Sequence, residues 1–153
     1  MRILWVKAGG LVPTDSGGKI RSFNLLRQLA TKHSITFFSF HRFGENDQHS
    51  ELEDIFDRVI CIPLRVPGPK SFGEVWSYGL KFFSSQPYNI SKFCQREVRQ
   101  ALDNLLKQEN YDVIVCDFLI AAGAIPWNLP TPNVLFTHNV EAAIWRRHYE
   151  VAG

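Results

Sequence analysis

The sequence predicts an α/β domain in which a doubly wound, mostly parallel sheet carries helices on both faces. Five short apolar runs recur along the chain, and each is continuous rather than alternating. Continuous runs are typical of strands that are covered on both faces, as in parallel sheets. Helical segments separate the runs, and this repeated strand–helix–strand order indicates a doubly wound sheet. The predicted strands are Ile3–Val6, Ile35–Phe40, Val59–Ile62, Val113–Cys116 and Val134–Thr137.

Helical periodicity fills the intervals between these strands. The first predicted helix begins near Gly18 and ends around Lys32, with cationic side chains near its C-terminus. A longer amphipathic stripe runs from Ser91, a residue type that suits an N-cap, to about Glu109. Shorter helices are predicted within Asn46–Asp57, within Leu119–Gly123 and from Val140-Glu141 onward.

Composition is that of an ordinary globular domain. The chain has 153 residues, of which 45% are hydrophobic and 21% charged, so residues 1–153 can form a single domain with a sizeable core. The net charge of +2 is too small to indicate nucleic acid as a partner.

Three cysteines are present, and none belongs to a Cys-x-x-Cys pair. Cys61, Cys94 and Cys116 are therefore predicted to be small buried hydrophobes in a reducing compartment, and no metal site is expected. The first apolar run is too short for a signal peptide, and no run reaches the length of a membrane span. We expect a cytoplasmic protein, with peripheral contact on the inner face of the membrane left open.

The loop around Gly17-Gly18 is the most informative segment, because it connects the first strand to the first helix. Without Cβ atoms, paired glycines let a ligand approach backbone N–H groups closely. The first turn of a helix leaves N–H groups without intrahelical partners, and the helix dipole favours negative charge there. The loop therefore suits a phosphate or a diphosphate. On the loop alone, a tight turn that binds nothing is the better interpretation.

Polar residues follow several of the predicted strands, at the edge where open parallel sheets bind ligands. They are the Gly17-Gly18 loop, His41-Arg42, Asp117, and His138-Asn139 with Glu141. Their convergence on one edge is stronger evidence for a site than any single member.

Each of these residues also has a structural interpretation. His138 could contact a substrate or transfer a proton, or it could pack at the end of its strand. Glu141 could bind a ligand or complement a helix dipole, and Asp117 could accept a bond from a sugar hydroxyl or cap the next segment. Arg21 could pair with a phosphate, whereas Lys19 is better explained as a solvated charge.

An aromatic and basic stretch covers residues 70–88. It could lie on a membrane surface or form an acceptor surface, although such aromatics more often belong to a core. Several motifs are missing from the sequence, among them Gly-x-Gly-x-x-Gly, the P-loop, the Gly-x-Ser-x-Gly elbow and Asp-x-Asp. Their absence argues against dinucleotide binding, P-loop chemistry and serine hydrolysis, and it weakens a metal-dependent sugar-nucleotide site.

The segment MRILWVKAGGLVPTDSGGKIRSFNLLRQLATKHSITFFSF resembles the opening of a GT-B-fold retaining glycosyltransferase of the group 1, or family 4, type. YDVIVCDF and TPNVLFTHNVEAAIWRR resemble later strands of the same N-terminal domain, especially in bacterial sugar transferases of polysaccharide pathways. The resemblance covers nearly the whole chain. The combination of the Gly-Gly loop with the His-Asn-x-Glu strand end is its most specific part.

The resemblance implies a hexosyltransferase that moves a sugar from a nucleotide-sugar donor to a sugar or lipid-linked acceptor without a cofactor or metal. Gly17, Gly18 and Arg21 would then lie by the donor diphosphate, and His138 would lie near the transferred sugar. Asp117, Asn139 and Glu141 would serve the acceptor.

In that family the Glu-x7-Glu signature belongs to a C-terminal domain, which this chain does not reach. We therefore expect one domain of a longer protein, and we expect that this polypeptide alone transfers no sugar. The alternative is a non-catalytic, flavodoxin-like module that binds a phosphorylated ligand at the Gly-Gly loop.

Overall fold

The computed structural model describes residues 1–43, 50–66, 88–137 and 141–152. Its sheet has five parallel strands in the order β3-β2-β1-β4-β5. The strands are β1 (Arg2–Ala8), β2 (Ser34–Arg42), β3 (Arg58–Leu64), β4 (Val113–Asp117) and β5 (Asn133–Phe136). The predicted α/β class is confirmed, and every predicted strand is present.

The order of the strands places β1 at the centre of the sheet. The chain first moves outward from β1 to β2 and β3, then crosses back and places β4 on the other side of β1. The direction of winding therefore reverses between β1 and β4. In open α/β sheets, such a reversal opens a crevice at the carboxyl ends of the two strands, and ligands bind there.

Helices cover both faces of the sheet. The described helices are α1 (Gly17–Ala30), α2 (Ser50–Glu53), α3 (Tyr88–Phe93), α4 (Arg96–Gln108), a 3₁₀ helix (Leu119–Ala124) and α5 (Glu141–Ala152). One buried cluster joins Trp5 and Ile35 to Leu26 of α1. The other joins Leu4 and Phe38 to α4 and the 3₁₀ helix. Alternate residues of β1 therefore serve opposite cores, as the two-residue period of a strand requires.

One predicted helix is wrong in its extent. The stretch predicted to run from Ser91 to Glu109 forms two helices, which are separated at Cys94-Gln95. Ser91 lies inside α3 rather than at an N-cap, and Gln95 is the N-cap of α4. The apolar stripe continues across the break because Cys94 and Val98 pack in the same core. Periodicity alone therefore did not show the interruption.

An ionic network joins elements at the amino edge of the sheet. Glu109, just after α4, accepts hydrogen bonds from the guanidinium groups of Arg2 on β1 and Arg58 on β3. The backbone N–H of Arg2 also donates to Asp112 at 2.7 Å. These contacts join β1, β3 and the segment after α4 at the edge of the sheet opposite to the carboxyl ends of the strands. Within the described residues, no helix combines the length and apolarity that crossing a membrane requires.

Candidate functional site

A cleft of about 670 Å³ opens at the carboxyl edge of the sheet, at the reversal between β1 and β4. The end of β1 forms its floor, the first turn of α1 forms one wall, and the start of the 3₁₀ helix forms the other. Its lining residues are Lys7, Ala8, Gly9, Gly10, Ser16, Gly17, Gly18, Lys19, Arg21, Phe118 and Ile120. The sheet topology and the cleft thus point to the same place for a ligand.

The N-terminus of α1 lies at the wall of the cleft. Ser16 is the N-cap, but its side chain makes no capping hydrogen bond, and the first turn contains no acidic residue. The first intrahelical bond runs from the N–H of Ile20 to the carbonyl of Ser16, at 2.9 Å. The N–H groups of the preceding helical residues have no intrahelical acceptor, and the dipole favours an anion beside them.

The floor of the cleft contains a buried ion pair. The ammonium of Lys7 lies 3.1 Å from Oδ2 of Asp117, and their side chains are only 8% and 0% exposed. Trp5 donates its indole N–H to the same carboxylate oxygen at 3.0 Å. Lys7 and Asp117 are register partners on β1 and β4, so the pair lies directly across the reversal of the sheet.

Two more cationic side chains lie at the mouth of the cleft. The guanidinium of Arg21 lies over the ring of Phe136, 5.2 Å from its centroid. Lys19 pairs with Asp15 at 2.9 Å and donates to the carbonyl of Pro13 at 3.3 Å. The hydrogen bond from Lys19 is the main cause that lowers the pKa of Asp15. Lys19, which was predicted to be a solvated charge, remains partly exposed while its ammonium contacts the loop before α1.

The chain leaves β1 through a glycine in the left-handed region. Gly9 has a φ of +86°, which side chains with a Cβ adopt only with strain. Its N–H donates to the carbonyl of Phe40 on β2 at 2.8 Å, so the chain turns immediately above the end of the sheet. Gly9 and Gly10 of this turn line the cleft beside Lys7.

The structure places some predicted site residues together. Gly17, Gly18 and Arg21 all line the cleft, while Asp117 lies beneath its floor. The N-cap residue of the 3₁₀ helix that follows is Phe118. The carboxylate of Asp117 is held by Lys7 and Trp5, and its contact with an acceptor stays a prediction.

Other predicted residues lie apart from the cleft or outside the described residues. His41 and Arg42 end β2 at the same edge of the sheet, but they are not among the residues that line the cleft. His138 and Asn139 lie outside the described residues, as does the aromatic stretch from residue 70 to residue 87. Glu141 begins α5, and only its backbone is described.

Lys7 and Trp5 are the members of this site that sequence reasoning missed. The predicted strand ended at Val6, and Trp5 counted only as an apolar strand residue. A signal was available in the sequence, because Lys7 is a charged residue at the end of a strand that is otherwise covered on both faces. Buried lysines are rare unless they are paired, and Asp117 occupies the corresponding position on β4.

The cysteines differ from one another more than predicted. Cys94 and Cys116 are buried as expected, and burial raises their pKa to about 11 and about 12 respectively. The prediction is wrong for Cys61, which is only partly buried on β3. Its sulfur lies 2.7 Å from the hydroxyl of Ser39 and 3.2 Å from Nδ1 of His41. A polar cluster therefore occupies a place that the apolar run had assigned to the core.

Comparisons with solved structures agree with this architecture. Two crystal structures of the C-terminal domain of a hydrogenase from Pyrococcus furiosus are similar to the chain, each at 13% sequence identity. One has a TM-score of 0.56 and covers 88% of this chain and 90% of that chain. The other has a TM-score of 0.57 and covers 89% and 90% respectively. No protein-family model and no curated protein matches. At this identity the similarity shows a shared α/β fold and nothing more.

Proposed function

We propose that this chain is the N-terminal, acceptor-side domain of a retaining glycosyltransferase with the GT-B fold. Such an enzyme moves a sugar from a nucleotide-sugar to a sugar or lipid-linked acceptor, here in bacterial polysaccharide or glycoconjugate synthesis. The observation that carries the proposal is the uncapped N-terminus of α1 at the wall of the cleft. It supplies the anion site that a donor diphosphate requires, in the segment whose sequence resembles this family.

Sugar transfer from a nucleotide-sugar requires a site that stabilises an anionic leaving group. When the bond between sugar and diphosphate breaks, negative charge develops on the leaving group. Fixed N–H dipoles and a nearby guanidinium stabilise that charge without a metal ion, because they are already oriented before the reaction. Gly17, Gly18 and Arg21 supply these groups at the cleft. In this proposal His138 faces the transferred sugar, while Asn139 and Glu141 contact the acceptor.

A second domain completes the proposed enzyme. The cleft described here offers groups for the diphosphate, and in a GT-B enzyme the C-terminal domain binds the nucleotide. The proposal therefore assigns catalysis to the two-domain protein.

The test uses the full polypeptide encoded by the gene. Release of nucleotide from a panel of UDP-, GDP- and ADP-sugars is measured for the wild type and for Arg21→Ala. Arg27→Ala is the matched control, because Arg27 is an exposed arginine in the last turn of the same helix. We expect turnover to fall in Arg21→Ala and to persist in Arg27→Ala. Wild-type protein that hydrolyses or transfers none of these donors contradicts the proposal.

A second candidate function is a binding module for a phosphorylated ligand. It is favoured by one observation, namely that the first turn of α1 and the buried Lys7 line the same cleft. The sequence downstream of Gly153 distinguishes the two functions. A second α/β domain with Glu-x7-Glu supports the transferase, and a stop codon supports the module.

A further inference from the structure

The ion pair between Lys7 and Asp117 is an unusual way to finish two central strands. The neighbouring side chains on the same face of β1 and β4, Trp5 and Val115, belong to the apolar cluster beneath α1. Two charged groups therefore follow the apolar residues on this face of the sheet, at the point where the cleft begins.

Stability alone does not explain this pair. Removing two charges from water costs several kcal/mol per ion, and well-packed apolar residues of similar volume often stabilise a protein as much or more. Among the described residues, Asp117 is the only partner of the Lys7 ammonium. An ammonium has three hydrogens to donate, so this carboxylate oxygen satisfies only part of its capacity. Lys7 also lines the cleft, whereas Asp117 does not.

A second donor, the indole of Trp5, also holds the carboxylate. The indole of Trp5 donates to the same oxygen as Lys7, and its ring packs edge-on against Phe136 with centroids 5.5 Å apart. Phe136 in turn lies under the guanidinium of Arg21. A continuous set of contacts therefore connects the floor of the cleft with the arginine at its mouth.

We propose that Lys7 contacts the anionic group of the ligand from the floor of the cleft and that Asp117 is a positioning residue for its ammonium. This inference rests on the proposed function, because it assigns Lys7 to the donor diphosphate that α1 binds from the wall. A low-dielectric floor strengthens the attraction between the ammonium and a phosphate oxygen. Asp117 then acts through Lys7 and not on the acceptor.

The experiment follows inorganic diphosphate binding to the 153-residue chain by NMR. It records the backbone amides of Gly17 and Gly18 and the side-chain ammonium of Lys7. We expect both sets of signals to shift in the wild type with the same dissociation constant. Lys7→Arg should retain binding within a few-fold, and Lys7→Met should weaken it at least about tenfold, which corresponds to one strong charge-assisted contact.

Control variants separate a binding role from a structural one. Lys19→Met removes a cation at the mouth that already pairs with Asp15, and it should bind diphosphate almost as well as the wild type. Lys7→Met alone leaves a buried carboxylate without its cation and could unfold the domain. Lys7→Met/Asp117→Asn avoids this, because the amide oxygen still accepts the N–H of Trp5. The double variant should be folded and should lose diphosphate binding to the same extent as Lys7→Met.

Two results overturn the inference. One is a folded double variant that binds diphosphate as tightly as the wild type. The other is a wild-type titration in which the Lys7 ammonium does not respond, whether or not the Gly17 and Gly18 amides do. The turnover assay with nucleotide-sugars decides the proposed function independently, since an active Lys7→Met enzyme would remove the role of Lys7 and leave the transferase intact.

Discussion

Two glycines of this chain have opposite surroundings, and the contrast defines what each one does. A Cβ on Gly17 would meet no atom within 4 Å, because the residue faces the open space of the cleft. A Cβ on Gly123 would lie 2.4 Å from a methyl of Ile90 and 3.1 Å from the sulfur of Cys94. Packing of the 3₁₀ helix against α3 therefore requires Gly123. Nothing in the packing requires Gly17, and this open space agrees with the proposed approach of a ligand.

Alanine at position 17 should separate binding from stability. A glycine-to-alanine change at the start of a helix stabilises it, by up to about 1 kcal/mol. The added methyl group also narrows the anion site, and we expect diphosphate affinity to fall by roughly tenfold. Urea unfolding and diphosphate titration measure the two effects on one sample. Unchanged affinity in Gly17→Ala would contradict the anion site. In the matched variant Gly123→Ala, overpacking should destabilise the fold by about 1–3 kcal/mol.

His138 is the residue on which the proposed chemistry depends most, and it lies outside the described residues. In the full-length enzyme, His138→Ala should lower kcat by about 100-fold or more if the imidazole acts on the reacting groups. Its free energy of unfolding should change by less than about 1 kcal/mol. A folded variant with normal specific activity would instead assign His138 a purely structural role.

At the scale of secondary-structure elements, the parts that bury apolar surface were predictable and the parts that depend on a few contacts were not. Continuous apolar runs located all five strands, because helices pack on both faces of the central strands and select apolar residues there. The break between α3 and α4 was missed, since Cys94 keeps the apolar stripe continuous across it. Lys7 was missed for the related reason that its partner on β4 is 110 residues away in sequence. The Gly17-Gly18 loop was predictable because a strand, paired glycines and a helix are adjacent in sequence.

Two buried thiols predict that the domain loses stability at alkaline pH. Cys94 lies at the break between α3 and α4, and Cys116 lies on β4. Burial raises both pKa values from an ordinary 9.0, to about 11 and about 12. The contribution of the two neutral thiols to the free energy of unfolding is complete below the pKa of the unfolded thiol. It is lost as the pH rises from there towards the pKa of the folded thiol.

Urea unfolding near pH 8 and near pH 10 measures this loss. Each thiol should contribute up to about 1 kcal/mol of it over that interval. In a variant with both cysteines replaced by alanine, the free energy of unfolding should differ less between the two pH values, by the sum of the two thiol contributions. The variant is also less stable than the wild type at both pH values. An equally steep loss in the double variant would show that other groups are responsible.

At the scale of the whole molecule, the sheet order 3-2-1-4-5 decides where the cleft opens. The sequence predicted a parallel sheet with strand ends at one edge, but it did not predict which strands are neighbours. Strand order depends on how the crossovers pack, and no local pattern records that. Once β1 lies beside β4, Lys7, Gly17 and Arg21 are brought to one cleft. His41 and Arg42, on the far side of β1, are not.

The proposed function predicts that activity requires a second domain. The purified 153-residue chain should show no sugar transfer with any nucleotide-sugar, because the proposed nucleotide pocket belongs to another domain. A coupled assay for nucleotide release, run beside the full-length enzyme, measures this. Turnover by the short chain above the uncatalysed background would show that its own cleft suffices for the reaction.

The central position of β1 also orders events during folding. β1, α1 and β2 are consecutive in the chain and can form a unit while the ribosome is still translating the rest. The other side of β1 has to wait for β4, since Ile3 pairs with Val113 across a long closed loop. Until that pairing forms, β1 has an open edge that chaperones or other nascent chains can reach. The cleft and its ion pair form only at this late step. A ligand can therefore stabilise the complete five-stranded sheet, but it cannot stabilise the early β1-α1-β2 unit.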